Sequence, residues 1–277
     1  MTDYKKRKTT LLLVMSRKGG VRKTTTVAYL ADILRETSAS VGVLDGDLKI
    51  HGTYQRFAQR NDEGEFLDDQ SLTSGAWISD LRDVKGRAKI LEAVEQAPDF
   101  LIVDSAGGAD DNFGDIFGAG FDPSDFIDTL DDMDAGVVFV CPVLPDDEDT
   151  IRSVKAISQS FEGLPVSFII VLSGWAASGD ETDARFAMWM ASNTRNGLLE
   201  AGKLSELKVN NLPDEIMVTV RETPAPFSQI INQTAADPKT GEKLSTNIWT
   251  RQSLKKVRAS IQRQMSSVPA LKGIFGL

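Results

Sequence analysis

The chain has 277 residues, with 40 Asp+Glu against 31 Lys+Arg for a net charge of −9, 41% hydrophobic residues, one Cys and one His. A chain of about 300 residues buries roughly three quarters of its unfolded surface, so a core forms here without covalent staples. A lone Cys141 excludes an intramolecular disulfide; with His51 it is too little for a zinc or iron–sulfur centre, and any imidazole-assisted nucleophile would have to run through His51.

No run approaches the about 18 apolar residues that span a membrane, and the start from Tyr4 to Thr10 lacks the apolar stretch and cleavage site of a signal peptide; a cytoplasmic location is expected. Short apolar runs predict strands at Leu11–Met15, Val41–Leu44, Phe100–Val103, Val137–Cys141, Phe168–Leu172 and Ile216–Val220. They are almost continuously apolar, the pattern of strands covered on both faces. Helical periodicity predicts helices at Thr24–Glu36, Arg87–Ala97, Asp149–Phe161 and Asp183–Ala201. Residues 52–85 and 104–134 read as long polar excursions. Alternating strands and helices imply an α/β class, a doubly wound, mostly parallel sheet with helices on both faces, and with no repeat or linker it is expected to be one domain over 1–277.

Charge is polarised along the chain. Residues 104–150 hold fourteen Asp and Glu and no Lys or Arg, whereas 239–272 hold eight Lys and Arg and one acid, Glu242. A net acidic protein can therefore still present a cationic surface.

The first strand leads into Ser16-Arg17-Lys18-Gly19-Gly20-Val21-Arg22-Lys23-Thr24-Thr25 and then a helix. A glycine-rich turn at a helix N-terminus aims backbone amides at an anion, a lysine there reaches β- and γ-phosphates, and the adjacent hydroxyl can ligate Mg²⁺. Lys23 and Thr24 occupy those two positions. Two further strands end in carboxylates, Asp45 with Asp47, and Asp104, at the strand ends where ligands bind in doubly wound sheets. Asp104 can hold Mg²⁺ or its water shell; Asp45 or Asp47 can orient an attacking water or bind the metal's outer shell.

Lys18-Gly19-Gly20-x-x-Lys23-Thr24-Thr25 resembles the deviant Walker A motif of the ParA/MinD family of P-loop ATPases. Asp45-x-Asp47 resembles that family's second acidic motif, and Asp104-Ser105-Ala106-Gly107-Gly108 its Walker B. The resemblance implies ATP and Mg²⁺ held by Gly19 through Thr25 with Thr24, Asp45 and Asp104 at the metal, and a homodimer formed on ATP. It also implies catalysis by Lys23, Asp47 and Lys18, the last reaching the partner's nucleotide as an arginine finger does. Adenine over guanine is likewise implied only by the family. The sequence departs from the family at Arg22, where glycine usually precedes the lysine. At positive φ a non-glycine residue costs about 1–3 kcal/mol, so nucleotide binding with slow hydrolysis is expected. The residues after Asp47 also depart from the usual Pro-Gln, and Ser173 stands where an Asn near the base is common.

Near the C-terminus Arg251, Lys255 and Arg258 share a helical face with Gln262, flanked by Lys256 and Arg263, opposite an apolar stripe of Leu254, Val257 and Ile261. Such a face can track the phosphates of nonspecific DNA, as a basic C-terminal surface does in ParA-like proteins. The final residues from Val268 to Leu277 are apolar, but Pro269, Gly273 and Gly276 argue against the amphipathic membrane helix of the MinD branch, so no membrane partner is expected. The four Trp are too scattered for a stacking platform and are expected to pack. The combined expectation is a DNA-partitioning or positioning ATPase with a ParB-like or other accessory protein. The alternative is a nucleotide-binding adaptor with weak or no hydrolysis, accessory to plasmid maintenance or conjugation.

Overall fold

A continuously apolar strand is stable in water only when both its faces are covered, and the architecture supplies that cover. The computed structural model describes residues 7–107, 122–176, 183–237 and 240–277. In chain order the elements are β1 (Thr9–Val14), α1 (Lys23–Arg35), β2 (Val41–Gly46), α2 (Gly52–Phe57), β3 (Trp77–Ile78), α3 (Val84–Glu95), β4 (Phe100–Ser105), α4 (Pro123–Asp132) and β5 (Ala135–Val143). There follow α5 (Glu148–Ser160), β6 (Ser167–Trp175), α6 (Ala187–Met190), α7 (Asn193–Glu200), β7 (Leu204–Asn210), α8 (Asp214–Glu222), α9 (Phe227–Asn232), α10 (Ile248–Ser267) and α11 (Pro269–Phe275). The strands form one seven-stranded sheet in the order β3-β2-β4-β1-β5-β6-β7, and each pairing is parallel.

Successive side chains of β1 point to opposite faces and enter different cores. Leu12 and Val14 pack with Val27, Leu30 and Leu34 of α1 and with α8, α10 and α11. Leu11 and Leu13 pack on the other side with Ile90 of α3, Phe126 of α4 and Val154 of α5. The doubly wound class read from the sequence is therefore the class observed, with a wholly parallel sheet among the described residues.

Several expected elements differ. Ile216–Val220, read as a strand, lies in α8. Pro213 precedes the helix, Asp214 and Glu215 favour its N-terminal dipole, and Ile216, Met217 and Val220 are buried while Val218 is exposed, a helical rather than alternating pattern. The outermost strand on that side is β7 instead; its sequence Leu-Ser-Glu-Leu-Lys-Val-Asn is buried only at alternate residues, so it offered no continuous apolar run. The predicted helix over 183–201 breaks into a 3₁₀ turn, α6 and α7, with Ser192 capping the last. Part of the long acidic excursion is helical: Asp122 and Asp125 make a reciprocal capping box and Pro123 starts α4. The remainder, 108–121, lies outside the described residues.

The C-terminal segment is also a helix, contrary to expectation. Pro269 suits the first turn, Gly276 closes α11 at φ 67°, and Leu271, Ile274 and Phe275 are buried in the α1-side core. Burial of those three side chains outweighs the weak propensity of Gly273. No helix among the described residues is long and apolar enough to cross a membrane. Of the tryptophans, Trp175 and Trp189 are buried, but Trp249 is 61% exposed at the start of α10, so the packing expectation fails for it.

Arg258 needs the largest correction. Its Nε donates to Asp32 of α1 at 2.9 Å and it pairs with Glu36, with its side chain only 15% exposed. Asp32 also accepts from the amide and hydroxyl of Ser228. Arg258 therefore ties α10 to α1 and is not part of a free cationic face. Arg251 is half-buried, while Lys255, Lys256 and Arg263 are exposed. Arg258→Glu is expected to lower stability by about 3 kcal/mol or more in urea denaturation, because it leaves a buried carboxylate facing another acid. Lys255→Glu is expected to change stability by no more than about 0.5 kcal/mol in the same measurement.

Candidate functional site

The carboxyl ends of β1, β2 and β4 meet around one cleft of ≈ 690 Å³, lined by Gly19 through Thr25, Asp45, Asp47, Arg82 and Asp104. β1 hands the chain to the turn over residues 16–22, in which Gly20 and Arg22 take φ of 76° and 69°. No side chain caps α1, and the positive end of its dipole lies at this turn. Lys23 is buried, and its Nζ folds back to donate to Ser16 O at 3.1 Å and Lys18 O at 3.2 Å. The ammonium is thereby fixed under the turn, where an anion held by the amides would meet it.

The acids come together as well. Asp45 and Asp104 are register partners on neighbouring strands, which puts their backbones about 4.8 Å apart. Asp104 is buried and accepts from Thr24 Oγ1 at 2.8 Å and from Thr53 Oγ1 at 2.6 Å. Asp45, also buried, accepts the amides of Asp47 at 3.0 Å and Tyr54 at 2.8 Å. Burial, and then the charge of Asp104, push the Asp45 carboxyl up to about 7. Burial also raises Asp104, against the pull of the two hydroxyls. Two buried acids that resist being charged together, beside a hydroxyl on the glycine-rich turn, are a donor set suited to a hard divalent cation. Mg²⁺ fits the chemistry of this set; Thr24, Asp104 and Asp45 are the residues that would hold it. Thr53, on the α2 segment expected to be loop, belongs to the site although no motif marked it.

Lys18, 42% exposed, donates to Asp147 at 2.6 Å, with Asp149 at 3.8 Å. The bond to Asp147, at the N-cap of α5, raises the Lys18 ammonium, and the same pair lowers Asp147. Asp47 lines the cleft but does not join the Asp104 hydrogen bonds; it pairs with Arg82 at 3.0 Å. Arg82 lies in the polar stretch after β3 and carried no signal of its own in the sequence.

The backbone at Arg22 is left-handed, so the cost of a non-glycine residue at positive φ applies there. Its side chain is half-buried and heads for the end of β6, where its Nη1 would stand 3.9 Å from a Cβ on Gly174. Desolvation lowers the guanidinium, against the attraction of Asp214. The bulk is thus carried toward β6, with Ser173 buried beside it. Arg22→Gly and Arg22→Ala both remove these contacts and differ in backbone compatibility. The glycine variant is expected to be the more stable by about 1 kcal/mol in chemical denaturation, and equal stabilities would refute a strained turn.

The raised Asp45 carboxyl also sets a pH dependence. In the folded chain it holds its proton between its ordinary value of 3.8 and about 7, where the unfolded chain has lost it. Folding therefore binds a proton in that window, and this contribution to stability is present below about 4 and lost as the pH rises through about 7. In metal-free buffer, Asp45→Asn is expected to flatten the decline in stability between pH 4 and 7, read by urea denaturation at each pH.

No family model matches the chain, and no curated protein matches it. Among solved structures it is similar to the MinD cell division protein of Aquifex aeolicus, with 16% identity over 93% of this chain and 97% of that one at a TM-score of 0.45. It is similar to a ParA family ATPase from Chlorobium tepidum, with 12% identity over 92% and 98% at 0.46. It is similar too to the septum site-determining protein MinD complexed with Mg-ADP from Pyrococcus horikoshii, with 13% identity over 95% and 98% at 0.44.

Proposed function

We propose that the chain is a ParA/MinD-type P-loop ATPase, one unit over residues 1–277, that binds Mg-ATP, pairs with a second copy and holds nonspecific DNA in that state. The observation that carries this reading is the joining of the phosphate-binding turn to the acid pair: Thr24, next to Lys23, is bonded to Asp104 at 2.8 Å in the same cleft as Asp45. Amides of the turn and Lys23 bind the phosphates; Thr24, Asp104 and Asp45 hold the cation and its waters; Asp47 orients water. Mg²⁺ supplies neutralisation of phosphate charge when bound.

Lys18 acts between copies. Within one chain it is held by Asp147, but its own side chain is 42% exposed, which leaves the ammonium open to exchange for a phosphate across a dimer face. Hydrolysis is slow in the isolated chain, since the turn carries Arg22 in place of glycine and the second copy must supply a charge. A ParB-like or other accessory protein stimulates it. The adaptor reading would follow if Arg22 abolished hydrolysis, but its side chain leads toward β6, which favours an active site.

The DNA face is the one opposite the buried stripe of α10, with exposed Lys255, Lys256 and Arg263 and flanking Arg251. Ile248 and Trp249, exposed at its N-terminal end, add apolar surface beside the cations. A gel-shift titration of duplex DNA without nucleotide, with ADP and with Mg-ATP at two salt concentrations tests this. Binding is expected only with Mg-ATP, weakening with salt, and Lys255→Glu with Lys256→Glu is expected to abolish it while leaving nucleotide affinity unchanged. DNA binding as tight in that variant as in the wild type refutes the assignment of the face.

A further inference from the structure

Arg82 is placed beside Asp47 by more of the fold than a loop residue ordinarily engages. β3 pairs with β2 for two residues, and contact continues beyond it: Ser79 donates to Asp45 O at 2.9 Å and Leu81 to Gly46 O at 3.3 Å. Two glycines make that approach possible. A Cβ on Gly46 would lie 2.4 Å from Leu81 and 2.7 Å from Asp104 O, and a Cβ on Gly86 would lie 1.9 Å from Asp80 O. Residues 79–86 are thus pressed against the end of β2, and Asp83 caps α3 immediately after Arg82.

The guanidinium is then held at two points. Asp80 Oδ1 accepts the Arg82 amide at 3.0 Å and its Nη1 at 3.3 Å, while Nη2 reaches Asp47 Oδ1 at 3.0 Å. The same Asp47 oxygen accepts the Lys49 amide at 3.0 Å. A carboxylate gripped on one oxygen by a backbone amide and a buttressed guanidinium has one orientation in the cleft. Arg82 is about one-third exposed, and ion pairs that wet add little to stability, so holding the fold together does not account for this arrangement.

We propose that Arg82 is a positioning residue for hydrolysis, fixing the Asp47 carboxylate so that it can orient the attacking water. The proposal rests on the reading of Asp47 as the water-orienting acid. Arg82 acts through Asp47, and Asp80 acts through Arg82.

Single-turnover hydrolysis of ATP by the full chain, with nucleotide affinity from a fluorescent ADP analogue, tests it. Arg82→Ala is expected to lower the hydrolysis rate on the order of 10²-fold, the scale of a misplaced reacting group, with nucleotide affinity unchanged. Arg82→Lys, which keeps the charge but cannot bridge Asp80 and Asp47 with one planar group, should fall between the two. Asp47→Asn combined with Arg82→Ala should be no slower than Asp47→Asn alone, because both act on one step. A wild-type rate in Arg82→Ala with a slow Asp47→Asn overturns the role of Arg82 and leaves that of Asp47 standing. A loss confined to nucleotide affinity, or additive losses in the double variant, overturns it too. A wild-type rate in Asp47→Asn, or a wild-type chain that does not hydrolyse ATP, removes the underlying reading and the proposal with it.

Discussion

Two carboxylates buried side by side at the ends of neighbouring parallel strands are the constraint around which the site is organised. Asp45 and Asp104 share a register level on β2 and β4 and are almost wholly buried, so neither reaches solvent. Uncompensated, two such charges in a low-dielectric interior would be strongly unfavourable. The chain answers with donors from every adjoining segment: Thr24 from α1, Thr53 from α2, and the amides of Asp47 and Tyr54 that bend residues 46–54 over the strand ends. The result is a set of oxygens poised for a cation, reached only because the sheet brings β2 and β4 together.

The glycine-rich turn obeys a second constraint, that of making amides point one way within a few residues. Glycine meets the positive φ at Gly20 without strain, while Arg22 meets it at a cost, and burial of its guanidinium works against the attraction of Asp214. Lys23 and Arg82 line the same cleft as Asp45 and Asp104, so cations and acids face one another there.

The surfaces divide the chain's charge differently from its sequence. The cationic C-terminal segment looked like one continuous face, yet Arg258 is spent on Asp32 and Glu36, stitching α10 onto α1. That stitch joins the cationic helix to the helix that begins at the glycine-rich turn. A displacement of α1 would be felt at α10 through this ion pair and through Val257 and Leu254 in the shared core.

The sequence by itself determined the doubly wound class, the turn at Lys18–Thr25 and the acids at strand ends, because these depend on local pattern: covered strands need continuous apolar runs, and phosphate turns need glycine, lysine and a hydroxyl in order. It did not determine which oxygens face which. Thr53 and Arg82 join the site because α2 and the β3–α3 segment fold over β2, the latter allowed its close approach by Gly46 and Gly86, and neither is marked by a motif. Nor did it separate helix from strand at Ile216–Val220, where β-branched residues suit either and burial decided, or reveal that β7, half-covered at the sheet edge, was a strand at all. Tertiary structure also drew Arg258 inward and folded the final residues into α11, since a buried carboxylate needs a cation and an apolar end needs a core. Periodicity records which residues seek burial; the sheet decides what they are buried against.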